Sequence, residues 1–474
     1  MNKLQAADMY IQQHKEKVQS RPLLHFTAET GWINDPNGFS FYKGEYHLFY
    51  QYNPYDVVWS DMHWGHVTTR NFIDWTYQPV ALANDKVYDA NGCFSGSAIE
   101  KDGKLYLMYT GHIDPNMGFD KDESQIIQQQ CVAVSEDGIH FEKYAGNPVI
   151  GIHNLPEGYL ICDFRDPKVV EHDGVYYVVL AVRNAARRGE ILMFKSDDML
   201  NWNFHASIYQ TAAADNIMLE CPDLFRLDGR DVLLFSIMPC DPEFAGEVTH
   251  KTAYVIGEMD YEAGRFHPAS EGLLDSGNSF YAPQSAAGKN GERLLIGWMQ
   301  SWKQAHPPRE YGFNGMMSLP RELRIQGQTL LQQPAKEVRE HFGSPVVHEK
   351  VALQTGEALE LAGGKAGYLR LEVSGRQSFQ VELHKGKGKS TRLEVDAANG
   401  SLRFISDYGE SEAITLSTDL TALEIFTDVH SVEVFVNAGE QVLSFTAYDP
   451  DKGQNVCIRG LGEAMLEKVV YAVK

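Results

Sequence analysis

Long apolar runs are absent from this chain: no stretch approaches the roughly 20 consecutive apolar residues that a membrane span needs. Cysteine is scarce, 6 in 474 residues. The six stand singly at Cys93, Cys131, Cys162, Cys221, Cys240 and Cys457, with no C-x-x-C pair and no histidine spacing of a zinc site. Free thiols in a reducing compartment are expected, with no disulfide framework and no structural metal. Positive charge is short too, with 42 Lys and Arg against 64 Asp and Glu, a net −22 with His neutral. A surface that acidic repels nucleic acid and anionic membranes, so neither is an expected partner. The first 20 residues lack the apolar core of a signal peptide, and a cytoplasmic location is expected.

What the chain does contain is enough apolar material for a large core, 43% hydrophobic with 11% aromatic residues. Met1 to Ser20 reads as an amphipathic helix with Leu4, Ala7, Ile11 and Val18 on one stripe. Beyond it helical periodicity is scarce. Apolar runs of four to eight residues, such as Tyr46 to Tyr50, Leu105 to Tyr109 and Val175 to Val182, alternate with Gly, Asn, Asp and Pro clusters. That is the pattern of an all-β protein.

A repeat runs through these strands. Val67 to Trp75 resembles Ala133 to Phe141 and Phe194 to Trp202, and Ile256 to Phe266 follows as a fourth copy. The closing aromatics Trp75, Phe141, Trp202 and Phe266 recur every 61 to 66 residues. Small sheets that cannot bury their own faces stack radially, so four copies plus a last unit in Phe280 to Leu323 predict a five-bladed β-propeller. After Leu323 the texture changes. Pro334 to Phe342 reads as a short helix with Pro in its first turn. Two-residue alternation from about Val346, clearest in Ser431 to Asn437, predicts an antiparallel β-sandwich. The expected division is 1–21 as a helical extension, 22–330 as propeller, 331–345 as linker with a short helix, and 346–474 as sandwich.

Three acidic motifs lie in the first part. Asn34-Asp35-Pro36-Asn37-Gly38 reads as a tight turn, because proline fixes φ and restricts its predecessor while Asn-Gly favours a turn. Alone, Asp35 there is a solvated Asx-turn aspartate; held rigidly beside Trp32, it is a carboxylate that could attack or orient a sugar. Arg165-Asp166-Pro167 reads as a strand-end ion pair, or as a pair of groups for sugar hydroxyls, where charged hydrogen bonds are strong. Glu220 in Glu220-Cys221-Pro222 is a strand-end acid or a screened proton donor. Gln51, Trp59, Trp64, Phe94-Ser95-Gly96, Tyr281, Trp298 and Trp302 are each ordinary core residues when taken singly. Together with the carboxylates they are the material of a sugar site, rings for C–H faces and acids and amides for hydroxyls.

Trp32 to Gly38 resembles the W-[IM]-N-D-P-N-G signature of glycoside hydrolase family 32, the invertases and fructan hydrolases. Arg165-Asp166-Pro167 resembles that family's R-D-P motif and Glu220-Cys221 its E-C motif, in the family's order and approximate spacing. Met62 to His66, Phe94 to Ala98, Phe280 to Gln284, Gly297 to Met299 and Ser431 to Phe435 are also similar to family blocks. The resemblance spans about residues 22 to 474.

It implies a five-bladed propeller with a C-terminal β-sandwich and a retaining mechanism. Asp35 is implied as nucleophile, Glu220 as acid and base, and Asp166 as the holder of fructose hydroxyls with Arg165 beside it. Asn34, Gln51, Trp59, Phe94, Ser95, Tyr281 and Trp298 match positions lining the fructose pocket. Double displacement asks for carboxyls about 5–5.5 Å apart, and two carboxyls need no cofactor.

The implied partner is a small sugar: sucrose, sucrose 6-phosphate or a short fructan. Arg183, Arg187 and Arg188 are one possible source of positive charge for a phosphate. The chain departs from the family at Ser60-Asp61, at Ser279 and across Asp428 to Glu433, the first two near the pocket rim. Fructan hydrolysis, fructosyl transfer, an inverting enzyme and a propeller that only binds sugar are the alternatives. Oligomeric state is not legible.

Overall fold

The computed structural model describes residues 1–474 except 117–121, 212–215, 241–249, 305, 386–388, 397, 408–410, 449–452 and 454. An N-terminal helix, Lys3–His14, is capped by Asn2, whose side chain accepts from Gln5 N while Gln5 reaches back to the Asn2 N–H. Its Ala7 and Ile11 enter an apolar cluster shared with the first blade and with Tyr368, Phe426 and Phe435 of the C-terminal region. No helix among the described residues is long and apolar enough to cross a membrane.

Five small sheets form a β-propeller, as the repeat predicts. Their inner strands are Gly31–Tyr42, Gly92–Lys101, Arg165–His172, Ile217–Leu227 and Tyr281–Ala287, here numbered blades I to V. Phe313–Asn314 leaves blade V to pair in parallel with Gly31 and Trp32, tying the last blade to the first. A short helix, Lys336–His341, follows the outermost strand Thr329–Pro334. Two six-stranded antiparallel sheets then form the β-sandwich.

The sequence repeat is the turn leading into the outermost strand of blades I to IV. In blade I the Phe72 N–H donates to Thr69 Oγ1 at 2.9 Å and the Asp74 N–H to Asn71 Oδ1 at 2.8 Å. Blade II repeats this with Gly138 on Ser135 and His140 on Asp137, and blade III with Met199 on Ser196 and Asn201 on Asp198. Short polar side chains that satisfy their own backbone are a local solution to a tight corner. The periodicity therefore survives in sequence.

One expectation is corrected. Asn34 to Gly38 is not a loop between strands but part of the continuous strand Gly31–Tyr42. Register shifts between Ile33 and Pro36, and between Asn37 and Ser40, absorb the residues that cannot pair. A bulge lets a strand carry a proline without losing its ladder.

Candidate active site

The same bulge recurs at one level around the propeller axis. Register slips occur between Phe94 and Gly96 in blade II, opposite Arg165 to Lys168 in blade III, at Glu220 to Asp223 in blade IV and at Tyr281 to Gln284 in blade V. In four blades a proline stands in the slip: Pro36, Pro167, Pro222 and Pro283. The residues before them are Asp35, Asp166, Cys221 and Ala282, and blade II offers Ser95 before Gly96. Asp166, Cys221 and Ala282 have φ of +61°, +49° and +47°. Such left-handed backbone costs side-chain-bearing residues of order 1–3 kcal/mol each and gathers at functional sites. The X-Pro recurrence is the sequence signal for this ring, visible only when the four motifs are aligned on their prolines.

The bulges bring the three acids together. Asp35 Oδ2 accepts from Ser95 Oγ at 2.6 Å and from the Cys221 thiol at 3.4 Å, and Oδ1 accepts from Asn34 Nδ2 at 3.1 Å. Asn34 is itself held by Trp32 Nε1 at 2.8 Å. Asp166 Oδ2 accepts from the Cys221 N–H at 3.0 Å, while the Asp166 N–H donates to Thr110 Oγ1 at 3.0 Å. Glu220 Oε1 accepts from Arg165 Nη2 and Oε2 from Tyr281 Oη, both at 2.7 Å. Cys221 thus links two of the acids and adjoins the third, a role its motif did not disclose.

Electrostatics follow from burial. Desolvation raises Asp35 above the usual carboxylate range, with Glu220 adding to the rise and hydrogen bonds from Ser95 and Asn34 opposing it. Burial carries Asp166 up to about 7, against the pull of Arg165 and with the push of Glu220 and Asp35. Asp166 therefore holds its proton well above the usual carboxylate range. Burial also pushes the Tyr281 hydroxyl and the Cys221 thiol well up, helped by the same carboxylates, so both remain donors. Desolvation opposes the charge on Arg165, but Glu220, Asp166 and Asp163 more than compensate, and the guanidinium stays protonated.

Aromatic residues wall the bowl. Trp32, Met62, Cys221, Tyr281, Ala282 and Trp298 form one apolar cluster, with Phe94 packed against it. Phe94 stacks on His112 at 4.0 Å. Burial and Arg165 lower the His112 pKa to about 3, so this ring is neutral. His112 and its partner Gln128 lie on strands with no local motif and were not singled out. Gln51 is buried and braces blade II, its amide donating to the Cys93 carbonyl at 2.9 Å. Trp59, 41% exposed, stands further out and meets Phe94 edge-on at 5.8 Å. Beside it opens a cleft of about 350 Å³ whose walls include Trp32, Val58, Trp59, Trp302 and His306.

The loop arginines are not a free basic rim. Arg183 is buried against Asp163 and Glu123, and Arg187 donates to Glu123 Oε2 at 2.5 Å. Arg188 is exposed.

Comparison with known proteins places the chain in a family. The family model described as the glycosyl hydrolases family 32 N-terminal domain matches residues 25–334, and the family 32 C-terminal model matches residues 335–459. The chain is 35% identical over 462 residues to a sucrose-6-phosphate hydrolase of Escherichia coli, covering 94% of this chain and 93% of that protein. It is 34% identical to the raffinose invertase of Escherichia coli, covering 95% and 96%. Among solved structures, a mutant GH32 beta-fructofuranosidase of Bombyx mori in complex with sucrose superposes with a TM-score of 0.87 at 32% identity, covering 100% of this chain and 98% of that one. The sucrose-6-phosphate hydrolase of Lactobacillus gasseri gives 0.83 at 25% identity, covering 98% and 96%.

Proposed function

The chain belongs to glycosyl hydrolase family 32, and on that premise we propose that it releases the terminal non-reducing β-D-fructofuranosyl unit of sucrose or sucrose 6-phosphate by double displacement. Asp35 attacks the anomeric carbon; Ser95, Asn34 and Cys221 hold its two oxygens in place. Glu220 protonates the leaving oxygen, then takes a proton from the water that frees fructose. Asp166 binds fructose hydroxyls and offsets the oxocarbenium-like charge of the transition state. The carrying observation is the Glu220-Cys221 step: Glu220 meets Arg165 and Tyr281, while Cys221 donates to both Asp166 and Asp35.

Sucrose and its phosphate are supported by the relatives' activities and by the sucrose-bound neighbour. Phosphate preference needs rim charge, and two of the three loop arginines are committed to Glu123 and Asp163. A cytoplasmic location is part of the same proposal, supported by six cysteines that all remain free.

Asp35→Asn should abolish sucrose cleavage with the fold intact, and NMR should detect β-fructofuranose as the first anomer released. Unchanged turnover, or inversion, would remove the assignment. Side-by-side kcat/KM on sucrose, sucrose 6-phosphate, a short fructo-oligosaccharide and levan ranks the substrates. The aromatic cleft beside Trp32 favours exo-acting fructan hydrolysis as a second reading, since rings suit further sugar units. Trp302→Ala should then raise KM for the oligosaccharide more than for sucrose.

A further inference from the structure

A line of alternating charges runs from the bowl into blade III. Arg165 grips Glu220 through Nη2, and its Nη1 donates to Asp163 Oδ1 at 3.1 Å. The other Asp163 oxygen accepts from Arg183 Nε at 2.6 Å and Nη2 at 2.5 Å, a two-pronged hold. Arg183 is fixed in turn by Glu123 Oε1 at 3.1 Å and Asn216 Oδ1 at 2.5 Å. Arg165, Asp163 and Arg183 are 7%, 7% and 4% exposed, so water does little to screen them.

Chain geometry builds this arrangement. Asp163 ends a single 3₁₀ turn, Ile161–Asp163, two residues before Arg165. Arg183 ends the neighbouring strand Val175–Arg183, two places beyond Ala181, the partner of Arg165.

We propose that Asp163, clamped by Arg183, is the positioning residue that aims the Arg165 guanidinium at Glu220 and so places the acid for leaving-group protonation. This rests on the reading of Glu220 as the acid. Asp163 sits between two buried guanidinium groups. Without its charge they repel, and Arg165 is drawn toward Asp166, whose Oδ2 is already 3.7 Å from Nε. Glu220 then loses its fixed partner on Oε1, although Asp163 itself touches no sugar.

The test compares kcat/KM, which reports events through the first bond cleavage, on sucrose and on an aryl β-fructofuranoside whose leaving group departs unprotonated. Asp163→Asn should lose about 10-fold or more on sucrose and less than about 3-fold on the aryl substrate. Arg183→Lys keeps the charge but loses the two-pronged hold, so it should show the same split in smaller measure; it carries the test if Asp163→Asn does not fold. Equal losses on both substrates in the folded variants would mean a purely structural role and overturn the proposal. Glu220→Gln separates the two levels. If it shows the split and the other variants do not, the positioning role alone fails. If Glu220→Gln itself shows none, the acid assignment fails and the proposal with it.

Discussion

His25 and Glu433, 408 positions apart in sequence, meet with Nε2 and Oε1 2.9 Å apart. The other imidazole nitrogen, Nδ1, lies 2.9 Å from Asp428 Oδ2. One ring from the segment that enters the propeller thus bridges two carboxylates of the sandwich, all three side chains being inaccessible to solvent.

Stability should depend on pH through this bridge. Burial disfavours the charged imidazole, but hydrogen bonds to Asp428 and Glu433 outweigh it and carry His25 from 6.5 to about 9. The raised value means a contribution that is complete below about pH 6.5 and lost as pH climbs through about 9. The shift corresponds to about 3 kcal/mol as an order of magnitude. Asp428 and Glu433 are held below their ordinary values despite burial, by His25 and, for Glu433, by Arg321. Their contribution is present at neutral pH and disappears on acidification. Thermal unfolding of the wild type and of His25→Gln between pH 6 and pH 10 should show a Tm gap that narrows with rising pH. A gap that stays constant would rule this out.

Arg321 should be costly to remove. It is fully buried, with Nη2 donating to Asp275 Oδ2 at 2.9 Å and to Glu433 Oε2 and Ser444 Oγ at 2.7 Å. Its guanidinium also covers the Phe280 ring at 4.2 Å. Arg321→Met leaves buried carboxylates without their cation, which costs about 3–5 kcal/mol. Denaturant unfolding measures it. A loss below about 1 kcal/mol would show that the interface repacks.

Ser95→Ala should move the acid limb of the pH–activity curve. The Ser95 hydroxyl lowers the proton affinity of Asp35, which burial has raised. Removing it raises that affinity further, so Asp35 is protonated at higher pH and the acid limb of kcat/KM shifts upward. A fall in kcat/KM of about 10-fold at the optimum is expected from losing a hydrogen bond to a charged group. An unmoved acid limb would dissociate Ser95 from the nucleophile.

Gly96→Ala should damage both fold and site. An added Cβ would lie 2.0 Å from the Met108 carbonyl oxygen and 2.7 Å from Tyr109 Cα, backbone atoms that cannot swing aside. Overpacking of this kind costs about 1–3 kcal/mol, and the shift displaces Ser95 from Asp35. A lower Tm together with lower kcat is expected; wild-type values for both would contradict the packing described.

The sequence alone disclosed the repeat, because the outer corners of the repeating blades are closed by side chains bonding their own neighbours, as Ser135, Asp137, Ser196 and Asp198 do. It also disclosed the acids Asp35, Asp166 and Glu220, because each stands in a short motif that resembles a family signature, with a proline one or two residues on where the strand bulges. Which groups those acids meet was decided by tertiary structure. Cys221 on Asp35, Tyr281 on Glu220 and His25 on Glu433 are contacts between different blades or domains. Local propensity leaves no trace of such pairs: a buried charge is stabilised by whichever donor the closed ring brings within about 3 Å, and only folding determines that neighbour.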